Sequence, residues 1–100
     1  MKFVILTSKP GQFRTELGDD LRQVEAYDYI AQGRNRARFV IAEVTRESKV
    51  RIVEEGGAEN ADPVVNNVPS KFFPSFDSLD KARHELGQLT GGANTALVKL

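Results

Sequence analysis

The sequence predicts a single α+β domain, residues 1–100, in which an antiparallel sheet packs against two helices. Three observations predict this class. Short apolar runs rich in β-branched residues are typical of strands, two other segments carry apolar residues at helical spacing, and Pro and Gly residues separate the segments with turns. A chain of 100 residues with 40% hydrophobic residues is large enough for one core.

The composition limits the classes of function. Lys plus Arg and Asp plus Glu number 14 each, and there is no cysteine. The balanced charge argues against nucleic acid or a membrane surface as a partner held by net charge, and without cysteine there is no disulfide, thiolate nucleophile or cysteine-ligated metal. The first apolar run is too short for a secretory signal, and no run reaches the ~18 apolar residues of a membrane span. We therefore expect a cytoplasmic protein without membrane association.

The chain begins with a strand and then becomes ambiguous. Residues 2–8, KFVILTS, form a short β-branched run that ends in a Lys-Pro-Gly turn. Beyond it, Leu17, Leu21 and Val24 are spaced by four and three residues, which predicts a helix over about 19–32.

The same segment has an alternative interpretation. Residues 25–30 would form a strand with Tyr27 and Tyr29 on one face, and residues 33–35 would form a hairpin turn. The fold would then be mainly an antiparallel β meander with one C-terminal helix.

The most apolar part of the chain predicts a β-hairpin. Residues 37–44 are β-branched and aromatic, residues 49–55 alternate charged and apolar, and the four residues between them fit a hairpin loop. If Val44 lies opposite Lys49, the two isoleucines of the pair share one face, which favours this register.

The segment after the hairpin has no regular pattern. Residues 56–62 are polar and Gly-rich, and we expect them to be a mobile loop. The remainder of the loop, to residue 76, contains valines and phenylalanines between prolines and is expected to be anchored. Lys71, Phe72 and Phe73 are its candidate partner-binding residues, because an exposed aromatic pair is unusual on a monomer.

The clearest helix covers residues 77–89, with Asp77 or Ser78 as its N-cap and leucines on one stripe. Residues 95–100 predict a closing strand. The element order is therefore βαββαβ, which is typical of ferredoxin-like folds. A fold of this kind hosts many unrelated functions, so it does not indicate one.

The candidate anion- or ligand-binding residues are basic. Arg34, Arg36 and Arg38 would share one face of an extended strand, and Arg51 could extend the group. Guanidinium groups bind carboxylates and phosphates through paired hydrogen bonds. The alternative is a solvated sheet face with isolated ion pairs.

A second candidate group consists of Tyr27, Asp28 and Tyr29, which could place phenols and a carboxylate at the mouth of a pocket. The single histidine, His84, falls away from the apolar stripe of its helix and is expected to face solvent. No residue is assigned a catalytic role, and neither a metal nor a cofactor is expected.

The sequence favours a small, non-catalytic module that binds a protein partner or a small ligand, with a homodimer formed by pairing sheet faces as one form of assembly. Nucleic acid is not an expected partner. One alternative is a small enzyme of the dimeric α+β barrel type with an apolar pocket. Another is an accessory subunit of a larger enzyme.

Overall fold

The computed structural model describes residues 2–54, 64–90 and 97–100. Within these residues the chain forms eight strands and one α-helix. In chain order they are β1 (Lys2–Ser8), β2 (Phe13–Glu16), β3 (Leu21–Ala31), β4 (Arg34–Val44), β5 (Lys49–Glu54), β6 (Val64–Pro69), β7 (Ser75–Phe76), α1 (Leu79–Leu89) and β8 (Leu97–Lys99), and a 3₁₀ turn, Ser70–Phe72, joins β6 to β7.

The predicted ferredoxin-like fold with two helices is wrong. The described chain is mostly strand and contains a single helix. The strands form two antiparallel sheets, a large one in the order β7-β1-β4-β3-β8 and a small one in the order β2-β5-β6.

The large sheet is the middle layer of three. Successive strand residues point to opposite faces, so Phe3 and Val4 on β1, like Ile41 and Ala42 on β4, belong to different cores. Phe3 and Ile41 pack with Ala82 and Leu86 of α1. Val4 and Ala42 pack with Leu6, Leu21 and Val50, the last of which comes from the small sheet.

The helix predicted over 19–32 is instead strand β3. The pairing with β4 shifts between Gln23 and Glu25, which makes Val24 the extra residue of a β-bulge. Leu21 and Val24, three apart, point to opposite faces of the strand and lie in opposite cores. Spacing of this kind imitates one side of a helix.

The strand alternative for this segment is correct in type, although the turn lies slightly earlier than residues 33–35. Gln32 and Gly33 have φ values of 53° and 71° and connect β3 to β4. Two consecutive residues with positive φ match the I′ turn, whose twist suits a two-residue hairpin.

The predicted hairpin between residues 37–44 and 49–55 is also wrong. Strand β4 lies between β1 and β3, whereas β5 lies between β2 and β6 in the other sheet. Val44 is paired with Lys2 and Leu21, not with Lys49. The physical reason is that β4 satisfies both of its edges within the large sheet, so residues 45–48 carry the chain across to the small one.

Other predictions are confirmed. Strand β1 has the predicted bounds, and β8 is the predicted last strand. Helix α1 begins after an N-cap at Ser78, whose Oγ accepts a hydrogen bond from the Lys81 amide at 3.1 Å. The loop predicted for the region after β5 is partly replaced by strand β6. The expected mobile residues 56–62 lie outside the described residues.

Candidate functional site

A cleft of about 440 Å³ lies between the start of β1, the end of β4 and the 3₁₀ turn. We call it the basic cleft. Its lining residues are Lys2, Val4, Val44, Thr45, Arg46, Glu47, Ser70, Lys71, Phe73 and Ser75.

Residues 45–48, which carry the chain from the large sheet to the small one, form one wall of the basic cleft. Hydrogen bonds join this wall to the 3₁₀ turn, which forms the other wall. Antiparallel pairing of β5 with β6 places Lys49 opposite Pro69, which brings the residues just outside this pair together. The Ser48 amide donates to Ser70 Oγ at 3.0 Å, and the Ser70 amide donates to the Ser48 carbonyl at 2.7 Å. Ser70 is buried, so the two walls are joined before any ligand arrives.

The other end of the same wall is also anchored. Thr45 donates to the Asp20 carbonyl twice, from its amide at 3.1 Å and from Oγ1 at 2.9 Å. The basic cleft is therefore a feature of the folded backbone and does not depend on side-chain placement alone.

The basic cleft is positively charged. Lys2, Arg46 and Lys71 contribute three cations and Glu47 one anion, so the lining carries a formal charge of +2. Lys71 Nζ lies 3.9 Å from Glu47 and Arg46 Nε lies 3.4 Å from Asp20, and the side chains of both pairs are substantially exposed to water. Such pairs contribute at most about 1 kcal/mol each, so the cations can turn to an incoming anion at little cost.

Two residues of the predicted group Lys71, Phe72 and Phe73 line the basic cleft, Lys71 and Phe73, and the two phenylalanines have different surroundings. Phe73 packs against the core between the sheets and lines the basic cleft. Phe72 is 70% exposed, and Lys71 Nζ lies 5.7 Å from the centre of its ring. One ring thus anchors the turn while the other is presented to solvent.

The structure does not bring the four predicted arginines together. Arg38 forms two hydrogen bonds to Asp28, at 2.8 and 3.2 Å. Arg51 lies in the small sheet, 3.5 Å from Glu16. Arg34 is an exposed residue at the start of β4.

A second bulge explains why neighbouring arginines separate. The pairing of β3 with β4 shifts between Tyr29 and Ile30, which leaves Arg36 as the extra residue on β4. Arg36 therefore lines a depression with Tyr29 on the helix side of the sheet, whereas Arg38 lines another depression with Val40 on the opposite side.

The group Tyr27, Asp28 and Tyr29 is also divided. Tyr27 and Asp28 point to opposite faces of β3, and Tyr29 borders a different depression from Tyr27. The hydrogen bonds from Arg38 lower the pKa of Asp28, so this carboxylate stays ionised and paired. The three residues do not form one pocket.

Sequence reasoning missed a buried ionic cluster centred on Glu25, whose side chain is only 5% exposed. Its Oε1 accepts from Arg83 Nε at 2.8 Å and from Tyr27 Oη at 3.0 Å. Its Oε2 accepts from Arg83 Nη2 at 2.7 Å and from Lys99 Nζ at 2.9 Å. The partners are far apart in sequence, and only the bulge at Val24 turns Glu25 towards the helix, so no local pattern indicates the cluster.

The environment of Glu25 determines its role. Hydrogen bonds from Arg83 above all, and from Lys99 and Tyr27, lower the pKa of Glu25 from 4.5 to about 2. Burial of the carboxylate acts in the opposite direction. Burial, together with the hydrogen bond to Glu25, raises the pKa of Tyr27. A carboxylate with so low a pKa is a poor proton acceptor at neutral pH, and the cluster ties β3, α1 and β8 together.

His84 is exposed on α1, as expected. Among the described residues, no group of three or more acidic or histidine side chains is arranged to hold a metal ion, and no helix is long and apolar enough to cross a membrane.

Comparison with known proteins gives no match: no family model, no curated protein and no solved structure matches the chain. We therefore infer a function from the geometry of the basic cleft and its surroundings.

Proposed function

We propose that this chain is a small, non-catalytic binding module that holds an acidic segment of a partner protein in the basic cleft, with Phe72 as the main contact. The observation that carries the proposal is the 70% exposure of the Phe72 ring on a fixed turn beside a cleft with a formal charge of +2.

The aromatic ring supports a protein partner. An exposed phenylalanine leaves a large apolar surface in water, and binding energy at interfaces is concentrated in a few such side chains that enter a pocket of the partner. The turn that carries Phe72 is closed by the Phe73 amide donating to the Ser70 carbonyl at 3.1 Å. The ring is thus held in place before binding, which reduces the entropic cost of association.

The charge of the cleft supports an acidic segment. Its lysines and arginine attract carboxylates and speed their approach. The lining also includes the apolar residues Val4, Val44 and Phe73. The matching ligand is a peptide segment in which acidic and apolar side chains alternate.

The lining of the cleft supports binding over catalysis. It contains cations, hydroxyl groups and one exposed carboxylate, and it lacks a histidine or a desolvated acid, which are common groups in general acid–base chemistry. The helix-free face of the large sheet, which a dimeric barrel enzyme would use around its pocket, packs on the small sheet. An accessory subunit is one form of our proposal, with an enzyme as the partner.

We also infer a cytoplasmic location, because a chain without cysteine forms no disulfide bonds.

The test is the affinity for a short fluorescent peptide in which glutamate alternates with leucine, measured by anisotropy. We expect the lysine-for-glutamate version to bind at least about tenfold more weakly, because like charges meet at the cleft. Phe72→Ala should weaken binding of the acidic peptide at least about fivefold.

Lys81→Ala is the matched control, because Lys81 is an exposed lysine on α1 away from the cleft. It should leave the affinity unchanged. Equal affinity for the two peptides, or an affinity unaffected by Phe72→Ala, would contradict the proposal.

A further inference from the structure

Among the strands of residues 2–54, 64–90 and 97–100, β6 forms one edge of the small sheet and pairs only with β5. Its sequence, VVNNVP, contains no charged residue. Val64 is 53% and Val65 39% exposed, and the two asparagines that follow are also exposed. An edge strand presents unpaired amide and carbonyl groups, which readily accept another strand.

The other edge strands of the described chain carry features that discourage such pairing. Strand β2 has Arg14 and Glu16, β8 has Lys99, and β7 is only two residues long. Charge and shortness protect an edge, and so does proline, which β6 has only as its last residue. Among these strands, β6 alone combines a length of six residues with an uncharged sequence.

We propose that β6 pairs antiparallel with β6 of a second copy of this chain, which joins the two small sheets into one sheet of six strands. In a twofold antiparallel pair the residue on the axis faces its own copy and its two neighbours face each other, so any charge near the middle of the strand lies close to an identical charge. Strand β6 carries none. The formal net charge of the chain is +0 at pH 7, so long-range repulsion between copies is also absent.

The same geometry limits the assembly to two copies. A twofold pair uses the same edge on both chains, so pairing through β6 closes the assembly. The exposed valines of each β6 would gain cross-strand neighbours, and the asparagines could form hydrogen bonds across the new pair.

The dimer has a consequence for the basic cleft, because β6 runs directly into the turn that lines it. In an antiparallel pair the two clefts lie at opposite ends of the joined strands, roughly 20 Å apart from the rise per residue. Two acidic segments on one partner could then be held together, which increases the overall affinity.

The experiment is sedimentation equilibrium of the full chain with two charge variants, Asn66→Lys and Asn66→Glu. Asn66 is exposed, so both variants should keep the fold, and circular dichroism checks this. We expect a wild-type dimer, a dissociation constant at least about tenfold higher for each variant alone, and recovery of the dimer in an equimolar mixture of the two.

Gln88→Lys adds a charge on the exposed face of α1 and should leave the dimer intact. A wild-type monomer at all concentrations, dimers that neither Asn66 variant weakens, or a mixture no tighter than the single variants would each overturn the proposal. Because no peptide is present, the result is independent of the function proposed for the basic cleft.

Discussion

At the scale of single residues, the charged groups of this protein have two different roles. Glu25 is buried and fully hydrogen-bonded by Arg83, Lys99 and Tyr27. The cations of the basic cleft have exposed and weak pairs. Charges of the first kind hold elements together, and charges of the second kind remain available to a ligand.

The role of Glu25 predicts a pH dependence. The pKa of Glu25 is lowered from 4.5 to about 2 by folding, so its contribution to stability is present above pH 4.5 and is lost as the pH falls towards about 2. The shift corresponds to at most about 3.5 kcal/mol. We expect urea unfolding to show Glu25→Gln less stable than wild type at neutral pH, with the difference disappearing near pH 2.

Asp80→Asn is the control for this measurement, because Asp80 also contacts Arg83, at 3.2 Å, but its side chain is 91% exposed. Its effect should stay below about 0.5 kcal/mol. A difference between wild type and Glu25→Gln that does not change with pH would contradict the role assigned to the carboxylate.

The two neighbouring phenylalanines predict opposite effects on stability. Phe73 packs against the core between the sheets and Phe72 is exposed. Phe73→Ala should therefore cost about 2–4 kcal/mol of unfolding free energy, whereas Phe72→Ala should cost less than about 0.5 kcal/mol. Similar urea midpoints for the two variants would contradict the packing of Phe73 against the core and the exposure of Phe72.

At the scale of elements, the helix start makes a specific prediction. Ser78 Oγ accepts from the Lys81 amide, and no hydrogen bond caps the helix through Asp77. Ser78→Ala should lose about 0.5–2 kcal/mol by chemical denaturation, and Asp77→Ala less than about 0.5 kcal/mol, because its pair with Lys81 is exposed. The reverse order would place the cap at Asp77.

Elements were predictable from sequence where a local rule applies without interruption. Residues 2–8 form a continuous β-branched run, and residues 77–89 have a cap and a regular stripe, and both elements are present as expected. Strand β3 was not predictable by the same rules, because bulges break its period of two and because Leu21 and Val24, on its two opposite faces, are spaced as on one side of a helix.

Pairing between strands was harder to predict than the strands themselves. Residues 37–44 and 49–55 are adjacent in sequence and both have strand patterns, but the competing partners β1 and β3 occupy both edges of β4. Nothing local distinguishes a hairpin loop from a crossing between sheets. The basic cleft depends on that crossing, which is why Lys2 and Arg46 were missed while Lys71 and Phe73, on a distinctive turn, were named.

At the scale of the whole molecule, the three-layer arrangement covers both faces of the large sheet. A binding surface can therefore form at the ends of the sheets. The helix covers one face of the large sheet and the small sheet covers the other. Ligand sites occur preferentially where elements separate and leave a concave surface. The basic cleft is such a place, because β4 and β5 leave for different sheets beside it.

The most direct test of this account is a map of backbone amide shifts when the alternating glutamate–leucine peptide is added to ¹⁵N-labelled protein. We predict the largest shifts at Lys2, at residues 45–47 and at residues 70–73, with residues 31–34 of the distant β3–β4 turn unchanged. Largest shifts around Tyr29 and Arg36, or shifts spread evenly over the protein, would contradict the basic cleft as the binding site.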